Sequence, residues 1–135
     1  MTATKHVTLA ATVTASGKML SPFLIFKDKP GRIAMHEFGI FPEGGKYSCQ
    51  DEAWMNEDKM HEWIDVVLAP WKAAHDENRM GGSPPLLILG AYRVHQMGSV
   101  VNQIQLMCNK VVHIPVGCTY MWQPIDIGIK KPIKN

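Results

Sequence analysis

A four-residue apolar run at positions 86–89, LLIL, lies between two segments whose apolar side chains recur at helical spacing. The run is too short for a helix, and the turn-forming residues before it indicate a buried strand. A second short run, VVHI at 111–114, follows the second helical segment and predicts another buried strand. Apolar strands joined through a helix are typical of parallel pairing with a right-handed crossover. This half of the chain is therefore predicted to be an α/β unit.

The two helical segments are defined by their apolar stripes and their end signals. The first begins after Asn56, which can cap a helix whose first turn holds Glu57 and Asp58. Its stripe, expected to pack in the core, consists of Met60, Trp63, Ile64, Val67, Leu68 and Trp71. Pro70 should kink or end the regular part of this helix. The second helix is expected over 98–108. Its stripe consists of Val101, Ile104 and Gln105.

The first part of the chain has the alternation and turn residues of strands. Residues 6–16 and 20–26 predict two strands that form a hairpin with a turn at Gly17. Pro22 favours an edge position or a bulge for the second strand. Residues 27–53 carry frequent Gly and Pro, and predict a long connection with one short strand. The resulting order of strands and helices, with a final short helix, predicts an α/β chain with a mixed sheet.

Composition excludes several classes of protein. Hydrophobic residues make up 46% of the 135 residues and charged residues 19%, which is typical of one globular domain over 1–135. The net charge of +2 is too mild to indicate nucleic-acid binding without other signals. No apolar run is long enough for a membrane span, and we find no secretory leader. Three cysteines without a CxxC pair argue against a disulfide framework or zinc site, so an intracellular, reducing location is expected.

Four blocks of sequence resemble, in order, one family of enzymes. They are KHVTLAATVTASGKMLSPFLIFK, WMNEDKMHEWIDVVLAPW, LLILGAYRVH and VVHIPVGCTYMWQPIDIGIKKPIK. They cover nearly the whole chain and resemble the DDE superfamily of transposase-derived endonuclease domains, most closely the pogo-like group of the Tc1/mariner class. The more specific features are a strand followed by an acid, four residues and His, and a Pro…Thr…Gln-Pro-x-Asp block.

The resemblance implies both a fold and a chemistry. The fold would be similar to ribonuclease H, a mixed sheet flanked by helices, and the reaction would be metal-dependent cleavage and strand transfer of DNA. Family members hold two divalent ions, Mg²⁺ or Mn²⁺, with three carboxylates. Magnesium prefers oxygen ligands, and two ions about 3.5–4 Å apart can stabilise the attacking and leaving oxygens of a phosphodiester.

Carrying the family pattern onto this chain leaves one of the three acids in place. The third acid falls on Asp126, and the second falls on Gly90, 36 positions earlier. His95 matches the histidine that follows the second acid in the family. The first acid would precede the block that begins at Lys5, so we expect the chain to lack it. With Asp126 as a weak or vestigial ligand, we expect no tightly bound Mg²⁺ or Mn²⁺ and no nuclease activity.

Each of these positions also has a plainer interpretation. Gly90 can serve a tight turn or a positive φ angle, although the resemblance makes the loss of an aspartate the better interpretation. Asp126 can be a surface or capping residue, and His95 can be a turn residue without a catalytic role. Other acids are expected to form a solvated face rather than a replacement site. They are Asp51, Glu52, Asp58, Glu62, Asp65, Asp76 and Glu77.

Nucleic-acid contacts are predicted from aromatic and basic residues near the family pattern. The candidates are Arg93, Trp122, Gln123, Lys130, Lys131 and Lys134. An exposed Trp122 ring could stack on a base, and the lysines could contact phosphates, which would make binding steeply dependent on salt. The alternatives are a buried ring and a solvated basic tail.

The resemblance also implies that the fold lacks its first central strand, which would lie between the hairpin and residues 86–89. Its absence would leave two sheet edges with unsatisfied backbone groups. The two halves could pair directly, another segment or chain could fill the gap, or the fragment could be marginally stable. A protein partner, or self-association through an exposed edge, is therefore one hypothesis.

Three functions remain open at this point. The leading hypothesis is an inactive transposase-derived domain that binds DNA at most and is nuclear, as the resemblance implies. The second is an interaction module that has reused the scaffold. The third is an excerpt of an active transposase or endonuclease in which Gly90 is a substitution.

Overall fold

The computed structural model describes residues 7–29, 38–77, 84–90, 92–108 and 110–115. The chain divides into two compact units, residues 1–67 and 68–135. Strands and helices occur in both units, which confirms the mixed α/β class. The single domain expected over 1–135 stays a prediction. Of the helices in these ranges, none has the length and apolar character to cross a membrane.

The first unit contains a three-stranded sheet. Its strands, in the order in which they pair, are β1 (Val7–Ala10), β2 (Phe23–Lys27) and β3 (Lys46–Gln50). β1 and β2 are antiparallel with Val7 opposite Phe26, which confirms the predicted hairpin. Gly17 lies in the turn with a φ of 91°, a conformation that favours glycine. β1 is shorter than predicted because the chain after it keeps only an isolated bridge between Val13 and Met19.

The described residues of the connection after β2 include one short strand, as the sequence predicts. β3 pairs parallel to β2, with Phe23 opposite Lys46 and Ile25 opposite Ser48. A 3-10 turn, Phe38–Ile40, precedes it. Because residues paired in register lie on one face, Ser48 shares a face of the sheet with the fully buried Ile25.

A long helical stretch begins after Asn56, as predicted. It consists of α1 (Glu57–Trp63), a π-helical segment (Ile64–Leu68) and α2 (Ala69–Glu77). The Asn56 side-chain oxygen accepts the Lys59 backbone N–H at 2.9 Å. Pro70 has no N–H to bond the carbonyl four residues earlier, and the wider π spacing occurs at this point. The predicted disturbance at Pro70 is confirmed, although helical structure continues to Glu77.

The apolar stripe of this helical stretch is buried except at its end. The side chains exposed by no more than 3% are Met60, Trp63, Ile64, Val67 and Leu68, and on β2 Phe23 and Ile25 have no exposed surface. Trp71, also predicted for the core, is half-buried instead. Its ring stacks on His75 with centroids 4.8 Å apart, so it packs along the surface of its own helix.

The second unit contains a two-stranded parallel sheet with a helical crossover. Its elements are β4 (Leu86–Gly90), a 3-10 turn (Arg93–Gln96), α3 (Gly98–Gln105) and β5 (Lys110–Ile114). Leu86 pairs with Lys110 and Gly90 with Ile114, which confirms the predicted parallel strands. α3 also agrees with the prediction, apart from its shorter carboxyl end.

Two details of burial in this unit differ from the sequence prediction. α3 buries Val100 and Ile104, whereas Gln105 is exposed, so the stripe is rotated from the predicted one. β4 and β5 are not buried on both faces, because Leu86 and Ile88 are 54% and 56% exposed and Val112 is 36% exposed. A two-stranded sheet buries the side chains of both faces only when other elements pack against each face. Here alternate side chains remain exposed to solvent.

Candidate functional site at the carboxyl end of β4

Gly90 lies at the carboxyl end of β4 and is buried. It pairs in parallel register with Ile114, the last residue of β5. Strand pairing requires extended backbone, which any residue can adopt. The backbone at this position therefore does not itself require glycine, and glycine supplies no side-chain functional group here. The end of a parallel strand is also where α/β proteins commonly place functional side chains.

His95 lies against this strand end. Its Nδ1 is 3.0 Å from the carbonyl oxygen of Gly90. A carbonyl can only accept a hydrogen bond, so Nδ1 carries the proton and donates it, which leaves Nε2 as an acceptor. The ring also meets Tyr92 edge-on, with centroids 5.4 Å apart. His95 is thus fixed in both orientation and tautomer.

Burial lowers the pKa of His95 below the ordinary value for histidine. The hydrogen bond to the Gly90 carbonyl favours the protonated ring and opposes this effect, while His113 lowers the pKa further. Burial is the largest of the three causes, so His95 is neutral at pH 7. A neutral imidazole can accept a proton or a hydrogen bond at Nε2, but it provides no negative charge.

His113 is part of the same site, although the sequence pattern did not single it out. It lies on β5 opposite Leu89, and its Nε2 is 2.8 Å from the backbone carbonyl oxygen of His95. This ring therefore donates from Nε2. The strand period of two and the predicted parallel register are the sequence signals that could have placed it beside the end of β4.

The structure brings together only some of the predicted site residues. Gly90, Arg93 and His95 belong to one strand end and the turn after it, and Arg93 is exposed at the start of the turn. The remaining candidates lie outside the residues that the structure describes. They are Asp126, Trp122, Gln123, Lys130, Lys131 and Lys134. Their roles stay predictions.

The groups described at this strand end do not suit a pair of hard divalent ions. Magnesium requires oxygen ligands, and Gly90 supplies no side-chain oxygen, while Arg93 is a cation and His95 a neutral imidazole. Within the described ranges, no three His, Cys, Asp or Glu side chains gather as a metal site would require. The chemistry that these described groups provide is hydrogen bonding and anion attraction.

One acid that was expected on a solvated face takes part in a cluster instead. Glu62 is half-buried, and its Oε2 accepts hydrogen bonds from Ser48 Oγ at 2.8 Å and Lys59 Nζ at 2.9 Å. Lys59 Nζ also donates to Ser48 Oγ at 2.7 Å. Each member has partners, and the three groups join β3 to α1. We interpret this cluster as structural. The remaining acids of the predicted solvated face are exposed, as expected.

Comparison with known proteins gives a family match over nearly the whole chain. Residues 4–135 match the family described as DDE superfamily endonuclease. The chain is 32% identical over 135 residues to the human protein "Pogo transposable element with KRAB domain", covering 96% of this chain and 20% of that protein. The mouse protein of the same description is 31% identical over 136 residues, with the same coverage.

The chain thus spans about a fifth of the length of these relatives. No solved structure matches it.

Proposed function

The chain belongs to the DDE superfamily endonuclease family, and we propose that it is a pogo-like, transposase-derived domain that associates with DNA without cleaving it. The observation that carries this proposal is Gly90, which is buried at the end of β4 where the family pattern has its second acid. A ribonuclease H-like fold and a nuclear location are part of the proposal. The parallel β4–β5 pair and the β1–β2 hairpin are compatible with that fold.

Loss of cleavage follows from the ligand set. A two-ion mechanism needs enough negative charge to hold both cations against their mutual repulsion. With no carboxylate at position 90, the set of three acids that the family uses is incomplete. The family's Mg²⁺ or Mn²⁺ chemistry is therefore not expected to operate in this chain.

DNA association is supported by different features. Arg93 is exposed on the turn after β4, and the sequence after β5 contains Lys130, Lys131 and Lys134. Guanidinium and ammonium groups bind phosphates, and each contact releases counterions from DNA. Binding that uses about four such contacts should weaken by about 100-fold between about 50 and 200 mM salt.

Two measurements test this proposal together. A supercoiled plasmid incubated with the protein and Mn²⁺ should stay intact, and a labelled 20-base-pair duplex should bind with the expected salt dependence. Replacing Lys130, Lys131 and Lys134 by Gln should reduce the slope of log affinity against log salt by about 3. Metal-dependent nicking by the unaltered chain would contradict the proposed inactivity, and a lack of salt-dependent binding would contradict the DNA role.

A second candidate function is an interaction module on the same scaffold. It is favoured by the exposure of Leu86, Ile88 and Val112 on one face of the β4–β5 sheet, because contiguous exposed apolar side chains often mark binding surfaces. Self-association measured by sedimentation should then be insensitive to salt and be lost in I88K. A monomer whose sedimentation is unchanged by I88K would remove support for self-association through this face.

A further inference from the structure

Two histidines hold the turn that carries Arg93. The turn spans Arg93–Gln96 between β4 and α3. The His95 backbone N–H donates to the carbonyl of Tyr92, the residue just before the turn, at 3.0 Å. Neither Tyr92 before the turn nor Met97 before α3 provides a side-chain cap. Other groups must therefore fix the position of this short turn on the sheet.

The histidines supply that connection from two sides. His95 Nδ1 donates to the Gly90 carbonyl, which ties the turn back to β4. His113 Nε2 donates to the His95 carbonyl, which ties the same residue to β5. The hydrogen bonds run in sequence from His113 through His95 to Gly90, and each donor nitrogen is fixed because its partner is a carbonyl.

We propose that His113 is a positioning residue, which acts through His95 to hold the Arg93–Gln96 turn and present Arg93 to a DNA phosphate. The part that concerns DNA rests on the proposed function. The part that concerns the turn does not, because it follows from the two hydrogen bonds. Burial is consistent with this arrangement because it lowers the pKa of His95 and keeps the ring neutral. A neutral ring has one N–H, which His95 uses for the hydrogen bond to the Gly90 carbonyl.

Two substitutions at His113 separate the effect of the hydrogen-bond donor from that of the side-chain volume. The Nε2 amide of glutamine can occupy the place of histidine Nε2 and donate to the same carbonyl, whereas leucine fills the space without a donor. H113Q should therefore keep the connection, and H113L should break it. H75L is the matched control, because it removes an imidazole from α2 and leaves both hydrogen bonds of the turn in place.

Hydrogen exchange of the amides at 93–96 measures the turn without reference to DNA. We expect H113L to accelerate exchange by about 3- to 10-fold, as the loss of one hydrogen bond would, while H113Q and H75L stay within about twofold. In the unaltered chain, ¹⁵N NMR should show His95 protonated at Nδ1 and His113 at Nε2. The opposite tautomers, or equal exchange in H113L and H113Q, would overturn the proposal.

Binding of the labelled 20-base-pair duplex then tests the link to Arg93. H113L should weaken binding by about 3- to 10-fold, and R93Q should weaken it without changing exchange in the turn. In the R93Q background, H113L should have little further effect on affinity, because the positioned side chain is gone. Additive losses would overturn the link. If the unaltered chain binds no DNA, the proposed function fails, while the exchange and NMR results still decide the positioning role.

Discussion

Gly90 is a buried residue at the carboxyl end of β4. Its backbone is paired in the strand, and its carbonyl accepts a hydrogen bond from the His95 ring. We propose that its place at the end of β4 corresponds to that of the family's second acid. Strand backbone of this kind can be adopted by any residue. On the proposed assignment, the glycine removes a charged oxygen ligand.

The substitution G90D tests this interpretation at a single residue. In EDTA it should lower the free energy of unfolding by about 1–3 kcal/mol or more, because it places a carboxylate at a buried position. G90A is the control for the loss of glycine and should be milder. Mn²⁺ should raise the melting temperature of G90D and leave G90A and the unaltered chain unchanged. A similar Mn²⁺ effect on all three proteins would contradict the assignment of position 90.

The thiols of Cys49 and Cys108 provide a second prediction for individual residues. Both are free and buried, and burial is the largest cause that raises the pKa of each thiol. Since the thiolate is the reactive form, alkylation should be slow in the native protein and fast in guanidinium chloride. Mass spectrometry of each labelled peptide gives the two rates.

The raised pKa of these thiols also predicts how the free energy of unfolding changes at alkaline pH. A thiol whose pKa is raised on folding stabilises the folded state below its unfolded value of about 8.5, and this contribution is lost as pH rises through the folded pKa. Substituting alanine at Cys49 should therefore reduce the fall in stability above about pH 8.5.

In the alkylation experiment, equal rates in the native and the denatured protein would show that the thiols of Cys49 and Cys108 are not buried in solution.

At the scale of elements, local sequence signals predicted the start of the first helical stretch better than its end. Asn56, the acids after it and the apolar spacing fixed the start and the buried face of α1. Pro70 correctly indicated an irregularity, but the helical structure continues beyond it because the π spacing accommodates the missing N–H. Periodicity alone could not show that Trp71 packs on His75 at the surface.

The cap of α1 can be tested by N56A. Removal of the side-chain oxygen leaves the Lys59 backbone N–H without its partner, and should cost about 1 kcal/mol in urea denaturation. N102A is the matched control, because Asn102 is exposed within α3 and alanine favours helix. A loss in N102A as large as that in N56A would argue against a specific cap.

The cluster of Ser48, Lys59 and Glu62 is a second element-scale feature. In K59M, the half-buried Glu62 carboxylate keeps only the Ser48 hydroxyl, so we expect a loss of about 1–3 kcal/mol. K72M breaks the ion pair with the exposed Asp76 and should cost no more than about 1 kcal/mol. Urea denaturation of both variants gives the comparison, and equal losses would contradict the structural role of the cluster.

At the scale of the whole molecule, the fold class was more predictable than which side chains are buried. Short apolar runs separated by helices predicted the parallel β4–β5 pair, because that pairing depends on local length and spacing. The exposure of Leu86 and Ile88 depends on what covers the sheet, which no local pattern contains. His113 was missed because its place beside His95 depends on the register of a strand that is distant in sequence, whereas Gly90 and His95 are close in sequence. The catalytic roles considered for Gly90 and His95 stay predictions.

The family assignment belongs to this scale too, because it depends on blocks spread over residues 4–135. The relatives are about five times longer than this chain, so activities of a whole relative do not transfer to it. What transfers is membership of the family. We propose that this chain has lost the family's metal binding through Gly90 while keeping the strand and turn around it.

Calorimetric titration of the unaltered chain with Mg²⁺, and then Mn²⁺, tests that claim most directly. We expect no tight two-site binding of either ion, because the proposed site lacks the negative charge needed to hold two cations close together. A binding isotherm for two tightly bound ions per chain, accompanied by nicking of plasmid DNA, would contradict it.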